Sequence, residues 1–123
     1  MAPDPADEYP AAAPLFTVTN PPRTVTVTAQ FDGRIDHVRL SSGVTELTDA
    51  ELAEEVVVVA GLARQDARSA QYTAALDSMQ ELGHDAAGTR DFLTRNLDLP
   101  SPEDVRAARS EIFATRYLGE NVD

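Results

Sequence analysis

The chain has no cysteine, no lysine and no tryptophan, and aromatic residues fill only 6% of its 123 positions. Without cysteine there is neither a disulfide framework nor a thiolate metal site, and the redox state of its compartment leaves no mark on the sequence. No apolar run approaches the ~20 residues of a membrane-spanning helix. The first residues lack the basic and apolar segments of a secretory signal. Positive charge is scarce as well: ten basic residues, all arginine, stand against 21 acidic ones, for a net charge of −11. Arg23, Arg34, Arg39, Arg64, Arg68, Arg90, Arg95, Arg106, Arg109 and Arg116 are scattered among carboxylates, whereas a nucleic-acid reader concentrates its basic groups in a stripe. These absences predict a soluble, cytoplasmic protein with no membrane insertion and no nucleic-acid partner.

What remains is enough for one domain with a single modest core. Residues 1–14 are rich in proline and alanine and carry Asp4, Asp7 and Glu8. They hold too little apolar surface to offset ordering, and a disordered acidic leader is expected there. The folded domain then covers residues 15–123. A sheet is expected over 15–41. Leu15–Thr19 is its first strand, stopped by Asn20-Pro21-Pro22 because proline cannot donate to a ladder. In Thr24–Phe31 the residues Val25, Val27, Ala29 and Phe31 alternate with Thr24, Thr26, Thr28 and Gln30, the period of a half-buried strand. Asp32-Gly33 fits the two positive-φ positions of a type I′ hairpin. Arg34–Leu40 returns antiparallel, with Val38 and Leu40 on one face and Ile35, His37 and Arg39 on the other.

From Thr48 onward the pattern is helical. Thr48-Asp49-Ala50-Glu51 fits a capping box, and the acids around it suit a helix N-terminus. Leu52, Val56, Val59, Ala63, Ala67, Ala70 and Ala74 recur every three or four residues and form an apolar stripe. The predicted helix, 48–83, ends near Gly83 and is roughly 50 Å long at 1.5 Å per residue. It is longer than three short strands can cover, so its far half must pack on later helices or on another chain. Helices are also predicted over 86–97 and 102–117, the last opened by Ser101 at the N-cap and Pro102 at N1, with Val105, Ala108 and Ile112 as its stripe. The fold class expected is α+β: a three-stranded antiparallel meander packed on a long helix, followed by two shorter ones.

Catalytic chemistry finds no foothold. His37 sits on a strand face and His84 beside a helix stop, and neither has a nucleophile or second histidine placed with it. Pairs such as Glu51 with Glu55 or Asp49 with Glu54 suit a solvated helix face better than a hard-cation loop, which needs several oxygens on a glycine-hinged turn. The glycines compose neither a phosphate loop nor a dinucleotide fingerprint. No enzyme activity, cofactor or metal is expected. Two features could carry partner binding: the alanine-rich stretch Ala63, Ala67, Ala70 and Ala74, flat enough for close helix approach, and the aromatic residues Tyr72, Phe92, Phe113 and Tyr117. Packing within the chain is the plainer account of both.

Five segments in register resemble the EspD/EspH group of actinobacterial type VII secretion-associated proteins: Leu15–Pro22 (LFTVTNPP), Asp32–Val38 (DGRIDHV), Leu62–Gln65 with Ser69–Tyr72 (LARQ, SAQY), Leu99–Glu103 (LPSPE) and Phe113–Tyr117 (FATRY). The resemblance implies a cytosolic accessory protein or chaperone that binds and stabilises Esp-type secretion substrates as its clients. Secreted cargo of such systems carries a Tyr-x-x-x-Asp/Glu signal with a Trp-x-Gly hairpin. Here Asn121 follows Tyr117 and Leu76 follows Tyr72 at that spacing, which implies export of the client rather than of this chain, with co-secretion left open. A more distant similarity joins Thr24–Leu40 and Ala60–Ala74 to the YbaB nucleoid-associated fold. It implies a possible homodimer and, as the alternative function, DNA binding, against which the charge of −11 speaks.

Overall fold

The computed structural model describes residues 14–117. The expected leader, 1–14, lies almost wholly outside the described residues, as does the stretch after Tyr117. Three strands, β1 (Leu15–Thr19), β2 (Val25–Gln30) and β3 (Ile35–Leu40), form an antiparallel sheet in the order β1-β2-β3. A short 3-10 turn over Ser42–Glu46, not foreseen in the sequence, leads into helix α1 (Asp49–Glu81), followed by α2 (Ala86–Arg95) and α3 (Pro102–Arg116). The α+β meander-and-helix architecture is therefore present, with element ends at, or at most two residues inside, the expected ones.

Alternation decides which face of the sheet is buried. Val25, Val27 and Ala29 of β2 and Val18 of β1 turn toward α1 and are fully or almost fully buried with Val59, Leu62 and Ala63. Each fully buried valine contributes about 2 kcal/mol of transfer free energy. On the opposite face threonines pair across the strands, with Thr17 and Thr28 hydroxyls 2.9 Å apart and Thr19 and Thr26 likewise.

Two local expectations are corrected. The β2–β3 turn is not type I′, because Gly33 has φ 92° while Asp32 is not among the positive-φ residues. Instead Phe31, Asp32 and Gly33 form a three-residue loop. The Gly33 amide donates to the Gln30 carbonyl at 2.9 Å, and the Asp32 carboxylate accepts from the Arg34 amide at 2.9 Å. A turn ending in one left-handed residue needs glycine only at that place. The second correction concerns β3. Thr28 pairs with His37 but Ala29 pairs with Ile35, so Asp36 is an extra residue in the ladder. This bulge resets the alternation, and Ile35 joins Val38 and Leu40 on the α1 side and packs on the core. Val38 and Leu40 remain half exposed, because α1 runs mainly over β1 and β2. Phe31, expected on the core face, sits at the margin against Phe16, with ring centroids 6.5 Å apart.

The capping box at Thr48 forms as its sequence requires. The Glu51 amide donates to the Thr48 hydroxyl at 3.1 Å, and the Glu51 carboxylate accepts from the Thr48 amide at 2.8 Å. Beyond the sheet, α1 is covered by α2 and the segment after it, where Tyr72, Leu93 and Leu99 form a second small cluster. This meets the requirement that the far half of α1 pack on later helices. Because the cap fixes the entry of the element on which everything else packs, Thr48→Ala is expected to lower the unfolding free energy by about 1 kcal/mol. Urea denaturation checks this as a lower midpoint with an unchanged slope.

Candidate functional site

Helix α3 packs beside α1, with Val105 buried and Ile112 and Phe113 against the core, and polar contacts fasten it. Arg109 bonds the carboxylate of Asp66. At its C-terminal end, Arg116 and Tyr117 converge on Glu55, a residue only 7% exposed. One oxygen of Glu55 accepts from the Tyr117 hydroxyl at 2.5 Å and from the Asn20 amide at 2.7 Å. The other accepts from Nε and Nη2 of Arg116 at 3.3 and 3.0 Å. Arg116 also donates to Glu54 at 3.0 Å.

Asn20 owes its place to the prolines that follow it. They end β1 and bring the chain round so that the Asn20 side-chain carbonyl accepts from the amides of Thr24 and Val25, at 2.9 and 3.1 Å. Its amide nitrogen also donates to the Thr24 hydroxyl at 2.9 Å. Arg23 takes a left-handed φ of 63° to close this turn. The buried Glu55 carboxylate thus joins three elements distant in sequence. Expected on a solvated acidic face, it is instead the centre of the polar interior. The signal was its phase, three residues after Leu52 and four before Val59, within the apolar stripe.

The electrostatics follow from the contacts. Burial penalises the Glu55 charge, but hydrogen bonds from Tyr117, Asn20 and Arg116 outweigh it and hold the carboxyl below its usual value of 4.5. Burial, with the Glu55 carboxylate adding to it, pushes the Tyr117 phenol up to about 12. Arg116 is raised, first by its bond to Glu54.

Beside this clamp, α1 and α3 leave an apolar groove of about 670 Å³ whose floor includes Val58, Leu62, Val105 and Ile112. Gly61 and Ala108 line it from opposite helices, and Val57 stands at its lip with 70% of its surface exposed. A run of four valines, 56–59, makes more than one full helical turn, so at 100° per residue one of them must face away from the sheet. That is the sequence signal for Val57, which the stripe alone does not include.

The expected partner residues are dispersed. Ala63 and Ala67 have no exposed surface and pack in the core; Tyr72 and Tyr117 are 6% and 8% exposed. Ala70 and Phe113 are half-buried, and Ala74 is exposed beyond the end of the sheet. Phe92 is exposed on α2, and none of these residues lines the α1–α3 groove. His37 is exposed and lies 2.8 Å from the Asp36 carboxylate, and His84 is exposed after α1. Among the described residues no cluster of three His, Asp or Glu is placed to hold a metal ion, and no helix is long and apolar enough to cross a membrane. Arg34, Arg95, Arg106, Arg109 and Arg116 are each engaged by a carboxylate.

The folded pKa of Glu55 lies below the unfolded one. Its contribution to stability is therefore complete above the unfolded value and is lost as pH falls through the folded value. Glu55→Gln is expected to cost roughly 2–3 kcal/mol at neutral pH and to flatten the loss of stability below about pH 4.5. Urea midpoints measured across the acid range check this. Parallel acid limbs in the two proteins would show that the carboxylate charge is not what holds α3.

No family model matches the chain, and no solved structure matches it, so the YbaB likeness gains no support. Curated relatives do match. The chain is 51% identical over 107 residues to the ESX-1 secretion-associated protein EspD of Mycobacterium tuberculosis H37Rv, an overlap of 84% of this chain and 58% of EspD. It is 49% identical to the ESX-1 secretion-associated protein EspH of the same organism, with the same coverage. The chain thus spans somewhat over half the length of these relatives. At about half identity over most of its own length, the chain is homologous to EspD and EspH, both named ESX-1 secretion-associated proteins.

Proposed function

We propose that this protein is a non-enzymatic accessory factor of a type VII secretion system, which binds a protein substrate in the cytoplasm and keeps it stable for export. The names of its relatives support the setting. The observation that carries the binding role is the α1–α3 groove, where an apolar floor and the exposed Val57 lie open on an otherwise acidic molecule. Groove and helix face together offer the surface that an amphipathic segment of a client would cover. Of the partner residues expected from sequence, Ala70, Ala74 and Phe113 keep surface for contact, while Ala63, Ala67, Tyr72 and Tyr117 hold the framework that shapes it. The charge of −11 keeps the pair soluble and discourages wrong contacts.

Co-expression with Esp-type substrates tests this. A substrate is expected to co-purify with the native chain and to lose at least about tenfold in yield with Val57→Asp or Ala108→Glu, each of which sets a charge against apolar surface. Equal recovery with both variants would remove the groove from the mechanism. Unchanged substrate levels on deleting the protein would remove the chaperone role itself.

A further inference from the structure

On α1 the residues Glu54, Val57, Gly61, Gln65 and Arg68 follow at spacings of three and four and share the face turned away from the sheet. Val57 is 70% exposed there, and a Cβ placed on Gly61 would meet nothing within 4 Å. Glu54 and Arg68 each lie seven residues from Gly61, on opposite sides and with opposite charge. The face is therefore complementary to its own reversed copy.

We propose that the free protein is a homodimer in which α1 crosses α1 of a second copy at Gly61, antiparallel and about a two-fold axis. In this register Glu54 meets Arg68 of the second copy and Arg68 meets its Glu54, so two ion pairs form from one patch, the self-complementary arrangement of a two-fold interface. A parallel crossing would set Glu54 against Glu54 and Arg68 against Arg68. Gly61 lets the helix axes approach toward the near end of the usual 8–10 Å. Val57 then opposes Gln65 of the second copy, over the end of its groove lined by Pro100 and Asp104. A crossing near −50° carries the helix ends clear of the Asp98–Pro100 loop.

Both charged groups have capacity to spare. The Glu54 side chain is 66% exposed and accepts one bond from Arg116. Arg68 donates to the Asp98 carbonyl at 2.5 Å, leaving other N–H groups of its guanidinium free to bond across the interface. Two chains of −11 repel at long range, but at about 0.15 M salt that field is screened beyond ~8 Å. The short-range pairs and the apolar contact then decide the association. Resting on the proposed client role, the dimer also regulates it: the second copy covers the groove, and a client enters by taking the second copy's place.

Light scattering on the purified chain at about 0.15 M salt is expected to give twice the 13.3 kDa chain mass. Val57→Asp is expected to be monomeric. Glu54→Arg and Arg68→Glu should each weaken the dimer at least about tenfold, and the two together should restore it to within about threefold. The double variant lacks both local bonds, to Arg116 and to the Asp98 carbonyl, where each single variant lacks one, so its recovery would report the intermolecular pairs alone. Circular dichroism confirms that each variant is folded. A native chain that stays monomeric up to sub-millimolar concentration, or a dimer indifferent to the swaps, overturns the proposal. That result leaves client capture standing, since it is read in co-purification. Loss of client capture in turn leaves the dimer standing.

Discussion

A single carboxylate, that of Glu55, is bonded at once by the turn after β1, by the last residue of α3 and by the residue that follows it. A buried charge costs several kcal/mol unless its lone pairs are filled. Here four donors fill them, and three of the four reach it from Arg116 and Tyr117 at the end of α3. Because α3 brings only Val105 to full burial, with Ile112 and Phe113 half-buried against the core, this polar fastening and the Arg109–Asp66 pair add to a modest apolar contact in setting its position. The constraint is mutual. Asn20 can reach Glu55 only because the two prolines fold the chain back, and the same geometry sets where β2 begins.

Holding a helix by its end and one mid-length pair, rather than by a full apolar seam, has a consequence for the surface. The two helices touch at their fastening points and leave an apolar trough between them. A fully packed seam would have filled it with large side chains from α3, where Ala108 stands instead. Gly61 on the opposite wall widens it further. The same economy of bulk leaves α1 with an outward face that is small at its centre and charged at its ends, suited to contact with another helix. Stability and exposure are linked here: the polar network lets the domain hold its shape while part of its apolar surface stays open.

Much of the architecture could be read from the chain because it depends on short-range chemistry. Alternating valines and threonines specify β2, and Thr48 with Glu51 specifies the start of α1. Ser101-Pro102 opens α3, where the Ser101 side chain accepts from the Asp104 amide. The errors lie where one residue changes a pattern. The bulge at Asp36 reverses which side of β3 is buried before it, and no periodicity in six residues reveals an insertion. The β2–β3 turn adopts one positive φ rather than two because Phe31 leaves the ladder, a choice made by the pairing and not by the Asp-Gly dipeptide. Among the candidate residues, Ala63 and Ala67 lie in the interior while Ala70 and Ala74 keep surface, and the groove is lined mainly by residues of two helices far apart in the sequence.

The sequence by itself determined the class of fold, the order and approximate limits of its elements, the face of α1 that meets the sheet, and the proteins to which the chain is related. These follow from local propensity, periodicity and shared segments, all of which are written within a few turns or strands. Only the tertiary structure decided that Glu55 is buried rather than solvated, that Tyr117 and Asn20 meet on it, and that Val57, Gly61 and Ala108 border one trough. Those facts depend on residues some thirty to sixty positions apart being brought within bonding distance. Periodicity says which side of a helix is apolar, but not which neighbour will come to cover it, nor how much it will leave uncovered.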